Sequence, residues 1–194
     1  MVATPPQKTP LNETILSRLP HLGKALEPVP FFTNRHVETI GAALVRASPG
    51  LAYDRELLAA PDGGTVVLDW PVEQVRAAEA GATDPAAPLV ILWPGLTGGS
   101  HDTYVQWCVR ELWRAGFRSV VFNSRGTSDG PVTSPQFYSA SFTCDSRLVV
   151  DHVAARFPDA TLVGCGWSLG ANILLNFLGE EGERAKLTAA VSLW

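Results

Sequence analysis

Cysteine is scarce in this chain of 194 residues, with three in all, at Cys108, Cys144 and Cys165. So few, in an odd number, form no disulfide framework, and their spacing matches neither a zinc site nor a redox pair. Cys165 lies in an apolar run and reads as a small core residue. Sparse free thiols fit a reducing compartment, so a cytoplasmic location is the expectation. Basic charge is also limited. There are 15 Lys and Arg against 19 Asp and Glu, a formal net charge of −4, and no basic run. That balance excludes nucleic acid as the main partner, because phosphate binding needs a basic patch. No uninterrupted apolar segment reaches the roughly 18 residues of a membrane-spanning helix. Met1 to Pro10 has no apolar core of a secretory signal, so any membrane contact is expected to be peripheral. No metal-ligand cluster and no nucleotide fingerprint is present, and no cofactor is called for. Histidine is the most consequential scarcity: His21, His36, His101 and His152 are the whole supply.

What is present is an ordinary globular composition, 46% hydrophobic and 18% charged. That length supports one domain with a sizeable core. Residues 1–30 are rich in proline and are expected to pack loosely. Asn12 to Leu26 has a weak helical pattern, read as a surface helix rather than a transit peptide, and Phe31 to Ala47 turns helix-like. Tyr53–Ala60 and Thr65–Trp70 read as strands around Pro61-Asp62-Gly63-Gly64, a hairpin turn. Residues 73–88 are Ala-rich, charged and closed by prolines, and read as a surface loop.

Strands and helices then alternate. Leu89–Trp93 is an apolar strand, followed by Pro94-Gly95-Leu96-Thr97-Gly98-Gly99 and a helix over Thr103–Ala115 capped by Gly116. Ser119–Phe122 is the next strand, closed by Asn123-Ser124-Arg125-Gly126. A polar loop over 127–140 leads to a helix over Thr143–Phe157. Thr161–Cys165, Leu169–Gly179 and Ala189–Leu193 are strand, helix and strand. Short apolar strands alternating with helices predict a mostly parallel sheet covered on both faces. Ligands in such sheets bind at the carboxyl ends of the strands. The Gly-rich turns after Trp93, Phe122 and Cys165 all fall there and should meet.

One of those turns carries chemistry. Gly166-Trp167-Ser168-Leu169-Gly170 places a serine between a strand and a helix, the context that a nucleophile elbow demands. Side chains two positions away would collide in so sharp a turn, which explains the two glycines. Ser168 is therefore the candidate nucleophile. A serine hydrolase also needs backbone N–H donors aimed at the developing oxyanion. One is expected from Leu169 and the other from Leu96, in a loop whose glycines permit close approach. A phosphate-binding reading of that loop lacks the Gly-Lys-Ser/Thr ending.

Taken together these pieces resemble the YheT-like α/β-hydrolases, related to plant embryogenesis-associated hydrolases and to animal monoacylglycerol lipase- and phospholipase-like members. The resemblance rests on Asn34 to Thr39, Asp62-Gly63-Gly64, Leu68-Asp69-Trp70, and Pro94 to Ser100 with Tyr104. It continues through Asn123 to Gly126, Tyr138 to Asp145 and Gly166 to Asn172. It implies an α/β-hydrolase domain over 28–194, incomplete at its C-terminus, behind a loose extension over 1–27. It also implies a serine esterase or lipase acting on lipid or medium-chain acyl esters, or an alcohol acyltransferase of the same kind. The loop Arg125 to Gly130 departs from the family's usual small-residue version.

The triad of this fold runs serine, acid, histidine, yet only 26 residues follow Ser168 and none is histidine. Serine needs an adjacent base. His101, after the oxyanion loop, is the best-placed substitute, though it reads more simply as a polar residue before a helix start. His36 reads as a packing group and His152 as a partly exposed helix residue. Asp62, Asp69, Asp129, Asp145 and Asp151 read as caps, turn residues or solvated charges, and Glu180, Glu181 and Glu183 as solvated surface. Trp167 and Gln136-Phe137-Tyr138 fit either an acyl site or core packing. The expectation is a fragment of a serine hydrolase, inactive or impaired by itself. A non-catalytic binding protein that keeps the fold is the alternative from another class.

Overall fold

The computed structural model describes residues 9–18, 41 and 47–193. The chain parts into two compact units, Met1–Arg46 and Ala47–Trp194. Within the first, helix α1 spans Pro10–Ser17, overlapping the start of the segment expected to be helical and beginning two residues before it. Residues 19–26 of that segment, the expected boundary near residue 27, all of the pattern over Phe31 to Ala47 but Gly41 and Ala47, and His21 and His36 lie outside the described residues.

The second unit is built on a six-stranded sheet. Its strands are β1 (Tyr53–Ala59), β2 (Thr65–Pro71), β3 (Leu89–Trp93), β4 (Arg118–Asn123), β5 (Leu162–Trp167) and β6 (Ala189–Leu193). Their spatial order is β1-β2-β4-β3-β5-β6. β1 and β2 form the expected hairpin, and β2 pairs antiparallel with β4. The β4–β3, β3–β5 and β5–β6 pairs are all parallel. The hairpin turn uses Gly63 at φ 80°, a conformation without penalty for glycine.

Helices α3 (Thr103–Arg114), α4 (Cys144–Arg156) and α5 (Leu169–Glu181) connect the parallel strands. β3 and β4 are buried along their whole length, as the apolar runs require. One apolar cluster packs α4 and α5 against the sheet through Val149, Val153, Ile173, Leu174 and Phe177. A second seats Val105 and Val109 of α3 on Val90, Leu92 and Val121. Two separate clusters sharing one set of strands are the signature of a sheet covered on both faces. β6 lies at the edge of the sheet, with Val191 and Leu193 exposed.

The structure corrects one element. Val72–Glu79, expected within a surface loop, is a helix, α2. Its Ala, Glu, Gln and Arg are good helix formers. Gln74 also supplies a tertiary anchor, since its Nε2 donates to Ser119 Oγ at 3.1 Å and its Oε1 accepts the Ser119 N–H at 2.7 Å. Elsewhere the boundaries move by a residue or two. β5 runs on to Trp167 because β6 pairs with it that far, Trp167 facing Leu193. Gly116 closes α3 as expected, at φ 84°, with Phe117 N donating to Leu112 O at 2.9 Å. Among the described residues no helix is long and apolar enough to cross a membrane.

Candidate active site

β5 runs into Ser168 and α5 begins at the next residue, so the chain reverses at a single position. Ser168 takes φ 49° and ψ −117°, and a positive φ of this kind in a non-glycine residue costs about 1–3 kcal/mol. The two flanking glycines are what let the turn close. A Cβ on Gly166 would lie 2.7 Å from Ala171 Cα and 2.8 Å from its N. A Cβ on Gly170 would lie 2.3 Å from the carbonyl oxygens of both Trp93 and Pro94. All these contacts are to backbone, so no rotamer change relieves them. The turn is tied on both sides: Ser168 N donates to Leu193 O at 2.8 Å, and Asn172 N donates to Ser168 O at 3.0 Å. Ser168 is exposed to solvent. Leu169, as the first helical residue, has no intrahelical acceptor for its N–H.

The loop after β3 lies against this turn. A Cβ on Gly95 would sit 3.5 Å from Ser168 Cβ and 3.5 Å from Trp167 O. The amides of this loop can be followed one by one. Gly95 N donates to Tyr104 Oη at 3.0 Å, and Thr97 N donates to Tyr138 Oη at 3.0 Å. Gly98 N reaches Gly95 O at 3.0 Å, Gly99 N reaches Asp102 Oδ2 at 2.8 Å and Ser100 N reaches Asn123 Oδ1 at 2.9 Å. Leu96 N, at a residue 66% exposed, has no partner among the described residues. Thr97 turns the chain at φ 59°.

A buried carboxylate anchors the far end of the loop. Asp69 on β2, fully buried, accepts from Arg55 Nε at 2.8 Å and from Arg55 Nη2 at 2.7 Å. It also accepts from Asn123 Nδ2 at 2.8 Å and from the Ser100 hydroxyl. Asn123 therefore bridges Asp69 to the backbone of Ser100. The expectation that Asp69 is a turn or solvated residue is corrected: three separate donors neutralise a charge that burial alone would make very costly. Asp145 is corrected in the same way. It is buried on α4 and receives Arg125 Nε at 2.7 Å and Nη2 at 2.6 Å, while Arg125 Nη1 reaches Asp62 Oδ2 at 2.6 Å. The bond to Asp145 first of all raises the Arg125 pKa, burial opposing it. Arg125 thus ties the loop after β4 to α4 and to the hairpin turn. Glu180 and Glu181 are not free surface charges either, since Arg147 Nε donates to Glu181 Oε1 at 2.6 Å and Arg147 Nη2 to Glu180 Oε2 at 3.2 Å.

All three Gly-rich turns meet at the carboxyl ends of the strands. Besides the approach of Gly95 to Ser168, a Cβ on Gly99 would lie 2.7 Å from Asn123 Oδ1. The described histidines take no part. His101 is exposed, and His152 Nε2 lies 2.8 Å from Glu56 Oε1, a carboxylate that also accepts Trp70 Nε1 at 2.7 Å and Arg156 Nη1 at 2.8 Å. Among the described residues nothing hydrogen-bonds the Ser168 hydroxyl. Trp167 packs edge-on against Tyr104, ring centroids 5.3 Å apart, within the apolar cluster under α3. Phe137 is half exposed. Behind the turn, the free thiols of Cys165 and Cys108 are neighbours; a hydrogen bond between them raises the Cys165 pKa, with burial adding to it. Linear spacing gave no sign of that proximity, because it arises between β5 and α3. A cleft of about 560 Å³ lined by Arg125, Phe142 and Leu148 does not include Ser168 in its walls.

No protein-family model matches the chain. The chain is 50% identical to embryogenesis-associated protein EMB8 of Picea glauca over 183 residues, 94% of this chain and 40% of that protein. It is 34% identical to phospholipase ABHD3 of Mus musculus over 155 residues, 80% of this chain and 37% of that protein. It thus spans less than half the length of these relatives. Among solved structures an esterase of Pyrococcus furiosus superposes with a TM-score of 0.57 at 15% identity, over 74% of this chain and 49% of that one. That likeness concerns the fold.

Proposed function

The chain belongs to the α/β-hydrolases, as a relative of the embryogenesis-associated and ABHD3-type proteins, and from that premise we propose that it carries the nucleophile and oxyanion hole of a serine esterase. Ser168 attacks the carbonyl carbon of an acyl ester. The Leu96 and Leu169 N–H groups receive the oxyanion. The ester oxygen leaves as the alcohol, and water releases the acyl group from Ser168. The substrate class is acyl esters of lipids or of medium-chain acids, in keeping with a phospholipase among the relatives. The observation that carries this reading is the unused Leu96 amide, in a loop whose Gly95 lies so near the turn that an added Cβ would come within 3.5 Å of Ser168 Cβ.

Neither described histidine reaches Ser168, so the reading assigns the general base and its orienting acid to chain outside these residues. The 194-residue chain by itself is then a weak catalyst. Its three free cysteines suit a reducing compartment, and we assign it to the cytoplasm.

The test is covalent labelling of the purified chain with a fluorophosphonate, alongside Ser168→Ala. Slow labelling that vanishes in the alanine variant, together with burst release of p-nitrophenol from acyl esters, is the expected result. A folded chain that never labels, even at high probe concentration, refutes the esterase reading and leaves a binding protein with the same fold.

A further inference from the structure

Every residue of the loop from Gly95 to Ser100 offers an N–H, so something must decide which of them is left to meet an oxyanion. The amides on either side of Leu96 are both taken by phenolic oxygens: Gly95 N by Tyr104 and Thr97 N by Tyr138, each at 3.0 Å. The two tyrosines come from different elements. Tyr104 is in the first turn of α3, and Tyr138 lies in the segment leading to α4. Each ring is half-buried and packed against a different apolar cluster, Tyr104 with Trp167 and Tyr138 with the cluster that holds α4 and α5. Both hydroxyls are thus held by packing, and the backbone comes to them.

We propose that Tyr104 and Tyr138 are positioning residues that orient the Leu96 amide, by fixing the peptide before it and the peptide after it. This rests on the reading of Leu96 as an oxyanion donor. The geometry supplies the reason. Two pinned amides flanking a free one, together with the Gly98 N–H on the carbonyl of that same peptide at 3.0 Å, leave the intervening peptide little rotation, which is the preorganisation an oxyanion hole needs. They also remove two competing donors from the same loop. Tyr138 does a further job, because the Thr97 amide it accepts follows a residue at the exposed tip and belongs to a residue at positive φ. Among the described residues no other side chain hydrogen-bonds Leu96 or Thr97. Burial raises the Tyr104 pKa, the Gly95 bond opposing it; the ring therefore stays a phenol at neutral pH. Its oxygen accepts from Gly95 without bringing a negative charge beside the oxyanion.

Tyr104→Phe and Tyr138→Phe remove one oxygen each and keep the rings that pack. In the full chain, each should slow the saturating rate of fluorophosphonate labelling about tenfold, short of the roughly 10²–10³ that follows loss of an oxyanion donor itself. The probe concentration giving half that rate should hold. The melting midpoint, followed by circular dichroism, reports whether the fold survives. Unchanged labelling in both folded variants overturns the proposal. Amide NMR on the same proteins separates it from the reading of Ser168 as a nucleophile. The Gly95 amide in Tyr104→Phe and the Thr97 amide in Tyr138→Phe should exchange faster, and the Leu96 amide resonance should move in both. If Leu96 stays put while its neighbours lose protection, the tyrosines do not position it, whether or not the serine reacts. If Leu96 moves in a chain that never labels, the positioning stands and the nucleophile reading falls.

Discussion

Gly170→Ala, set beside Gly179→Ala on the same helix, measures how much of the turn at Ser168 depends on a missing Cβ. Gly179 lies near the end of α5 with nothing within 4 Å of its Cβ position. Alanine there gains helix propensity alone, about 0.5 kcal/mol toward the lower end of the usual Gly-to-Ala range. At Gly170 the Cβ would meet two carbonyl oxygens at 2.3 Å and Trp93 C at 2.7 Å, where ordinary contact begins at 3.4 Å. The start of α5 and the end of β3 would have to separate by about 1 Å. Overpacking costs about 1–3 kcal/mol, and a clash with backbone on both sides belongs at the top of that range. Less the propensity gain, Gly170→Ala should lose about 2 kcal/mol. Urea unfolding reads this directly. With m of about 2 kcal/mol/M the midpoint falls by about 1 M, whereas that of Gly179→Ala rises slightly. The same separation pulls the Leu169 amide away from the loop that holds Leu96, so fluorophosphonate labelling should slow by about tenfold or more, since about 1 Å of misplacement costs up to 10²-fold. Equal midpoints for Gly170→Ala and the parent chain would refute the steric reasoning. So would a fall of the same size in both variants, because then the contact at Gly170 is not what matters.

The strain at Ser168 gives a second test: Ser168→Gly should be more stable than Ser168→Ala by about 1 kcal/mol, since glycine adopts a positive φ freely, and equal urea midpoints would show an unstrained turn. The buried pair at the loop after β4 gives a third. Arg125→Met leaves Asp145 uncompensated, both side chains being 5% exposed or less, and should lose about 3–5 kcal/mol. Arg125→Met with Asp145→Leu should recover most of that loss, and strictly additive losses in a double-mutant cycle would sink the idea that the two act as a pair.

The features legible in the sequence were those written in local pattern. The apolar runs at Leu89–Trp93 and Val120–Phe122, short and bounded by turn residues, read as strands buried on both faces. The serine between two glycines could only be a sharp turn. Both signals lie within a few residues, and both reappear in the fold. The roles of Asp69 and Asp145 were not legible, because a carboxylate in a list of residues looks the same whether solvated or buried. Asp69 meets Ser100 from 31 positions away and Asn123 from 54. Such partners become neighbours only once β2 is laid beside β4. The helix at Val72–Glu79 was hidden differently. Its composition favoured a helix, but the prolines further along the same segment drew the whole stretch into a loop reading.

An oxyanion donor is the extreme case of what residue identity cannot show. Any residue but proline carries an N–H, so Leu96 has no chemical mark among its neighbours. It is distinguished by subtraction, when the other amides of the loop have found acceptors and one has not. Tyr104, Asp102 and Asn123 supply three of those acceptors, from the first turn of the following helix, the residue just before it and the strand beyond it. Tyr138 supplies a fourth from 41 residues away. The glycines show that the loop approaches something closely, and the serine shows what. Which amide is left over depends on side chains that play no part in the motif. A substitution at Tyr104 or Tyr138 would therefore leave Gly166-Trp167-Ser168-Leu169-Gly170 intact and still change what that serine can do.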